Sequence, residues 1–201
     1  MVDKNELRST ISLESKPEIR KVDGEPSKII GYAVRWDQLS VPIYGVFKEQ
    51  FRKGAFTNHM ADVYASWQHD SREVLGRTPS TLTLLEDDVG LRYEITTPSW
   101  ADKHIETIER GDVRGSSFIF RAIKDEWDES DPSMAIRSVI EAELIEVSPV
   151  TRPAYPSSSV GVRSAEDVFK ERQSLAIDKL QEKRAKGFDI LRKQLELIEN
   201  S

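Results

Sequence analysis

The chain has 201 residues, 38% of them hydrophobic and 32% charged, and its formal net charge is −6. That length suffices for one domain with a hydrophobic core and some additional chain. The negative charge argues against direct binding of nucleic acid, which depends on basic residues that neutralise phosphates. No apolar run approaches the roughly 18 residues of a membrane-spanning helix. The polar, charged first residues do not resemble a secretory signal.

Cysteine is absent, and the three histidines are His59, His69 and His104. Without cysteine the chain cannot form disulfides, thiolate metal sites or a cysteine nucleophile. The histidines show none of the spacings typical of zinc ligands. We therefore expect no metal site.

Composition divides the chain into three parts. Residues 1–27 are charged and mixed, and we interpret them as an N-terminal arm with room for one strand. Residues 28–163 alternate apolar and polar segments with turn signals and form the expected folded domain. Residues 164–201 interleave both charges and repeat apolar residues at steps of three and four, which predicts a helical tail. A helix with so short an apolar face is only marginally stable by itself. We therefore expect the tail to pack on the domain or on a partner chain, and we favour the domain.

Within the domain, alternation predicts strands at 28–36, 44–47, 63–68, 82–84, 91–95, 117–123 and 137–148. The acidic loop between the fourth and fifth of these predicts a hairpin. Apolar residues at helical spacing follow, with Ser99 as the predicted N-cap and Gly111 as the predicted stop. The sequence therefore predicts many strands and one helix before the tail.

Residues 114–120 read R-G-S-S-F-I-F, so two serines open a strongly apolar strand. A hydroxyl at the start of a buried strand is held rigidly while staying reachable, which is one way to present a nucleophile. A Gly-Ser turn that feeds a core strand explains the same pattern. These residues alone favour that simpler interpretation.

His69 follows a predicted strand in the run W-Q-H-D, where an aromatic neighbour can shield one side of its ring. Histidine suits general-base work near neutral pH. A lone histidine here is also consistent with a structural or surface role. His104 falls in the predicted helix and is expected to be exposed, and His59 lies in a turn without an evident partner.

In a regular strand over 137–148, Glu146 ends an apolar face that includes Leu144. A buried carboxylate needs a partner, and a histidine N–H would both orient the ring and stabilise its protonated form. Glu143, on the mixed face, is the weaker candidate. A β-bulge would swap these assignments, and a solvated edge glutamate is an equally good interpretation. Serine, histidine and carboxylate suffice for acyl transfer, but any chain of this length contains many such trios.

Four sequence blocks occur in one order along about residues 29–156. Residues 49–56 read E-Q-F-R-K-G-A-F, and residues 69–77 begin with H-D and end with V-L-G-R before a T-L-T-L strand. Residues 115–120 read G-S-S-F-I-F, and residues 144–155 read L-I-E-V-S-P-V-T-R-P-A-Y. Together these blocks resemble the signature of tailed-bacteriophage prohead (procapsid) maturation proteases.

The resemblance implies a serine protease related in fold to the herpesvirus assemblins, with an α+β fold whose mostly antiparallel β-barrel core is surrounded by helices. It implies action inside the procapsid, in the host cytoplasm, before DNA is packaged. The expected substrates are the scaffold protein or the scaffold-like arm of the major capsid protein, and the protease itself. No cofactor is implied. Assemblins work as dimers, and the helical tail could serve a homodimer interface, dock on its own domain or be a removable segment.

Carried over by motif, the general base is His69, the nucleophile is Ser117 and the third member is Glu146. Two positions depart from the pattern. Ser116 replaces the usual methionine, and strand alternation should point it away from Ser117, which we favour as the nucleophile. Ile119 replaces a small glycine and puts a branched side chain on the Ser117 face, where it could narrow the adjacent pocket.

The oxyanion donors are less defined. By analogy with assemblins, backbone around Thr151 and Arg152 is a candidate, and Ser116 is a candidate supporting residue. Arg152 could equally pair with a surface acid. Two alternatives to a protease stay open: a catalytically inactive capsid-assembly factor, favoured by Ile119, and a small-molecule hydrolase, which lacks support because no G-x-S-x-G elbow occurs at the serine.

Overall fold

A computed structural model describes residues 6–10, 16–43, 45, 47–131 and 133–151. In these residues the chain forms ten strands, one short 3-10 turn (Ser99–Ala101) and one α-helix, α1 (Asp102–Glu109). The strands are β1 (Glu6–Thr10), β2 (Glu18–Arg20), β3 (Lys28–Arg35), β4 (Phe47–Phe51), β5 (Tyr64–Trp67), β6 (Asp70–Arg77), β7 (Leu82–Glu86), β8 (Gly90–Thr96), β9 (Gly115–Asp128) and β10 (Ala135–Val150). The predicted helical tail, 164–201, lies outside the described residues. In the part that is described, no helix is long and apolar enough to cross a membrane.

The strands form two sheets. The first has the order β1-β9-β10-β5-β6, and β4 pairs with a separate stretch of β10. Its long hairpin, β9 and β10, is antiparallel, whereas β4 and β5 run parallel to β10. The second sheet, β2-β3-β8-β7, is antiparallel throughout. The mostly antiparallel, sheet-rich architecture agrees with the expected α+β class.

The expected closed barrel with surrounding helices is not what the described residues form. The first sheet ends in β1 and β6 and the second in β2 and β7, so both are open. The first sheet stays open because β4 and β5 share one edge of β10. In the described part of the chain, no single strand pairs along that whole edge and extends the sheet toward closure. An isolated bridge from Trp36 to Phe51 links the second sheet to β4.

The hydrophobic core takes buried side chains from both sheets. At its centre, the Phe51 ring lies 5.3 Å from the Phe118 ring and 5.1 Å from the Phe120 ring, edge-on to both. The Phe56 ring stacks on Phe51 at 5.7 Å and lies edge-on to Phe118 at 6.2 Å. Aromatic pairs in these arrangements contribute about 0.5–1.5 kcal/mol beyond their burial. This packing holds one face of β9 firmly against the core.

Most predicted strands are confirmed. Strand β9 continues beyond its predicted end at residue 123 to Asp128, and β10 is two residues longer at each end than predicted. The strand predicted at 44–47 falls partly on residues that are not described, and a strand begins at Phe47 instead. The arm holds two strands, β1 and β2, which pair in different sheets. The alternation did not predict β6, because its first residues, D-S-R-E, are all polar.

The predicted helix is confirmed, with a different start. Gly111 has a φ of 82°, the left-handed conformation of a residue that ends a helix. The predicted N-cap at Ser99 is wrong: the 3-10 turn begins there, and the α-helix starts three residues later with Ala101 as its N-cap residue. No side-chain hydrogen bond caps either segment.

Candidate active site

His69 lies at the tip of the hairpin that joins β5 to β6. Trp67 pairs with Asp70, so Gln68 and His69 form a two-residue loop with φ values of 56° and 62°. Two consecutive positive φ values are the conformation that matches strand twist in such hairpins. The His69 N–H donates to Ser148 Oγ at 3.1 Å, and the Gln68 N–H donates to the Pro149 carbonyl at 3.2 Å. These bonds hold the histidine against the end of β10.

Ser117 and Ser116 point to opposite faces of β9, as alternation predicts. Phe118 and Phe120 belong to the core, so Ser116 shares their face and Ser117 does not. The Ser116 hydroxyl is buried and lies 2.8 Å from the Tyr93 hydroxyl. The neighbouring hydroxyl is therefore directed into the core and away from His69.

Glu146 reaches the Ser117 face because β10 contains a bulge. The register with β9 shifts between Leu144, which opposes Phe120, and Glu146, which opposes Ile119. Directly opposed residues share a face of the sheet, so Leu144 faces the core while Glu146 faces the same side as Ser117. The regular strand that would put Glu146 and Leu144 on one face is therefore wrong. The bulge that could swap the assignment is present.

The three predicted residues meet in one hydrogen-bonded chain. His69 Nε2 lies 2.6 Å from Ser117 Oγ, and His69 Nδ1 lies 3.1 Å from Glu146 Oε1. With the proton on Nδ1, the ring donates to the carboxylate and can accept from the serine hydroxyl. A hydroxyl, an imidazole and a carboxylate in this order can transfer a proton away from the serine during attack.

Glu146 is almost completely buried, and two neighbouring hydroxyl groups donate hydrogen bonds to its carboxylate. The Ser66 hydroxyl donates to Oε1, and the Tyr64 hydroxyl donates to Oε2 at 3.1 Å. Burial and the Glu146 charge raise the pKa of Tyr64 to about 12. Sequence reasoning missed both residues. The available signal was two hydroxyl-bearing residues at alternate positions of the strand that ends beside His69.

The structure describes two of the three predicted supporting residues, Thr151 and Ser116. The Gln68 side chain donates to Thr151 Oγ1 at 2.6 Å and accepts from the Thr151 N–H at 3.1 Å. The Thr151 N–H is thus bonded to the turn that carries His69, and a role for this segment at the oxyanion stays a prediction. Ser116 faces the core, and Arg152 lies outside the described residues. Ser148, which was not predicted, accepts from His69 and donates to the Ser66 carbonyl at 2.9 Å.

The other two histidines contact other residues and do not belong to the candidate site. His104 is 5% exposed and stacks on Trp67 at 4.1 Å, so the expectation that it is exposed is wrong. Its Nε2 lies 2.9 Å from a Glu73 oxygen without hydrogen-bond geometry, and burial lowers its pKa. His59, expected to lack a partner, lies 2.7 Å from Glu141.

Ser117 has no exposed surface. Besides its contact with His69, its hydroxyl lies 2.8 Å from the Arg8 carbonyl and donates to it. One hydroxyl carries one hydrogen, so it cannot donate to Arg8 and to His69 at the same time. Ile119, two residues further along β9, is partly buried and lies opposite Glu146, on the Ser117 face as expected.

Comparison with known protein families gives a match that covers most of the chain. Residues 15–171 match the model of a family described as the caudovirus prohead serine protease. No curated protein and no solved structure matches the chain, so the likeness to assemblins stays a prediction. The matched segment contains His69, Ser117 and Glu146 and begins after β1. Because it covers well over half of the sequence, the chain belongs to the caudovirus prohead serine protease family.

Proposed function

We propose that this chain is a serine endopeptidase in which Ser117 is the nucleophile, His69 the general base and Glu146 the residue that orients the histidine. The observation that carries the proposal is the chain of contacts from Ser117 Oγ through the imidazole to Glu146, at 2.6 Å and 3.1 Å. Three segments far apart in sequence supply these groups, so local structure alone does not bring them together. Membership in a serine protease family supports the same assignment.

The geometry suits a two-step acyl transfer. His69 Nε2 accepts the Ser117 proton as Oγ bonds to the peptide carbonyl carbon, and the proton then passes to the leaving amine as the C–N bond breaks. Water then attacks the ester carbon with His69 again the base; the bond from that carbon to Ser117 Oγ breaks, the new carboxylic acid leaves, and His69 returns the proton to Oγ. The buried Glu146 carboxylate stabilises the imidazolium in both steps, and its bonds from Ser66 and Tyr64 keep the carboxylate oriented.

The family assignment supports a proposal for where the protease acts and on which proteins. We assign it to the procapsid in the host cytoplasm, with the scaffold protein or the scaffold-like arm of the major capsid protein as substrate, and with the protease processing itself. Residues 28–163 are the proposed protease domain. Docking or homodimerisation through 164–201 is part of the proposal and falls outside the described residues.

The test is co-expression with the cognate capsid protein, with chain lengths read by intact mass. Wild type should shorten the capsid chain and Ser117→Ala should not. Ser116→Ala is the matched control, because it removes the adjacent hydroxyl from the other face of β9, and it should still cleave. Cleavage by Ser117→Ala at the wild-type rate would refute the assignment of the nucleophile.

A second candidate, a catalytically inactive capsid-assembly factor, is favoured by one observation: Ser117 has no exposed surface. Under that proposal the capsid chain stays full length with every variant, while wild type and Ser117→Ala support procapsid assembly equally. Shortened capsid chains with wild type alone would exclude it.

A further inference from the structure

Strand β1 covers β9 at the proposed nucleophile. It runs antiparallel along residues 116–120, and Ser9 lies opposite Ser117. The other edge of β9 at this point is taken by β10, where Ser148 lies opposite Ser117. The edge that β1 occupies is therefore the one that another extended peptide would use if β1 were absent. Unpaired strand edges bind extended peptides through backbone hydrogen bonds.

The backbone of β1 already places a peptide carbonyl at the nucleophile. The Arg8 carbonyl oxygen lies 2.8 Å from Ser117 Oγ and accepts its hydrogen. This contact directs the hydroxyl proton toward β1 and away from His69. Since Ser117 has no exposed surface, β1 and a substrate compete for one place.

Charges anchor β1 in this position. The Glu6 carboxylate has no exposed surface, and both of its oxygens bind the Arg137 guanidinium, at 2.6 Å and 3.1 Å. Arg137 is 1% exposed and also binds Glu49 at 2.9 Å and Asp125 at 2.7 Å. A two-point guanidinium–carboxylate contact is strong and geometrically specific.

The second charge on β1 binds a carboxylate that Arg137 also binds. The Arg8 guanidinium lies against Glu49, at 2.5 Å and 3.2 Å, and above the Phe120 ring at 5.4 Å. Glu6 and Arg8 are two positions apart and share one side of β1, facing Arg137 and Glu49. Without β1, Arg137 and Glu49 would be uncovered at that spacing, while Arg137 keeps its contacts with Glu49 and Asp125.

We propose that β1 occupies the peptide-binding edge of the active site, and that substrates replace it as an extended strand with an acidic residue on Arg137 and a basic residue, two positions later, on Glu49. The carbonyl of that basic residue lies at Ser117. The inference rests on the proposed function and adds the substrate class and the way access is controlled. The segment that matches the family begins at residue 15, so β1 precedes the shared part of the chain.

The first experiment measures access to Ser117 in the full chain. A fluorophosphonate labels reactive serines, and the labelling rate is read by intact mass with peptide mapping. Glu6→Gln removes the charge that holds β1 on Arg137 and should label Ser117 about tenfold faster than wild type. Glu18→Gln, on the exposed strand β2, is the matched control and should label at the wild-type rate.

The outcomes separate the two proposals. Equal labelling of Ser117 in wild type and Glu6→Gln overturns the role of β1 and leaves the nucleophile in place. No labelling in either folded protein overturns the proposed function, and this inference with it. If circular dichroism shows that Glu6→Gln does not fold, Arg8→Gln replaces it, with the same faster labelling expected and equal labelling overturning the proposal.

The second experiment tests the charge order with synthetic peptides. A peptide with the β1 sequence, K-N-E-L-R-S-T-I, is compared with one in which the glutamate and arginine are exchanged. The first should slow labelling of Glu6→Gln at about tenfold lower concentration than the second. Equal potency would overturn the assignment of Arg137 and Glu49 as the groups that select the substrate.

Discussion

Glu146 and Leu144 lie on opposite faces of β10 although one residue separates them. The bulge at Ile145 shifts the register with β9, so Leu144 packs in the core and Glu146 lies on the His69 side. Without the bulge, a carboxylate would enter the hydrophobic core or the triad would lack its third member. Bulges next to active sites commonly re-aim one side chain in this way.

Loss of the Glu146 charge should lower the rate of peptide cleavage while the protein still folds. Glu146→Gln keeps the size of the side chain and loses the charge that orients and stabilises protonated His69, so we expect cleavage to slow by about 10²–10⁴-fold. Capsid-chain cleavage followed over time by mass spectrometry measures this. Glu143→Gln, on the exposed face beside Arg121, is the control and should stay within about twofold of wild type. Similar rates for both variants would contradict the role of Glu146.

The Ser66 hydroxyl should matter for both stability and activity. Ser66→Ala removes a donor from a buried carboxylate, and such a loss costs about 1–3 kcal/mol of unfolding free energy. Urea denaturation measures that cost, and the same protein should cleave more slowly because the Glu146 carboxylate is less well held. A variant with wild-type stability and activity would show that Tyr64 alone satisfies Glu146.

No side chain fits at Gly31, because the Tyr93 ring that bonds Ser116 packs directly against its backbone. A Cβ at this position would lie 2.5 Å from the Tyr93 hydroxyl and 2.6 Å from its ring carbon. Tyr93 is fully buried and bonded to Ser116, so the ring cannot move away without breaking that bond. We expect Gly31→Ala to lower the unfolding free energy by about 1–3 kcal/mol, as overpacking does. A change below about 0.5 kcal/mol in urea denaturation would show that the ring has room to shift.

Alkaline pH should destabilise the chain partly through Tyr64. Burial and the Glu146 charge raise the pKa of Tyr64 from 10.0 to about 12. Because the folded chain favours the neutral phenol, this contribution to stability is complete below pH 10.0 and is lost as the pH rises toward about 12. Urea denaturation at several pH values should therefore show a shallower alkaline decline for Tyr64→Phe than for wild type. Parallel declines would contradict the assignment.

Local patterns predicted what depends on neighbours along the chain. The hairpin of β7 and β8, the helix stop at Gly111 and the opposite directions of Ser116 and Ser117 each follow from alternation or from backbone preference within a few residues. The identities of His69, Ser117 and Glu146 followed from sequence blocks, and the structure brings these three side chains into contact. Short-range periodicity and backbone preference were sufficient for the elements, whereas the three site residues were predicted through the resemblance to a known family.

Pairing between distant segments was decided only by the tertiary structure. The bulge in β10 depends on how that strand matches β9, and the Glu6–Arg137 ion pair joins residues 131 positions apart. The place of β1 over Ser117 likewise depends on which edge of β9 stays open after β10 has paired. A local pattern shows which residues can form a strand or a triad. It does not contain the register between two strands. The strand partner, the alignment and the burial are set by the packing of the whole chain.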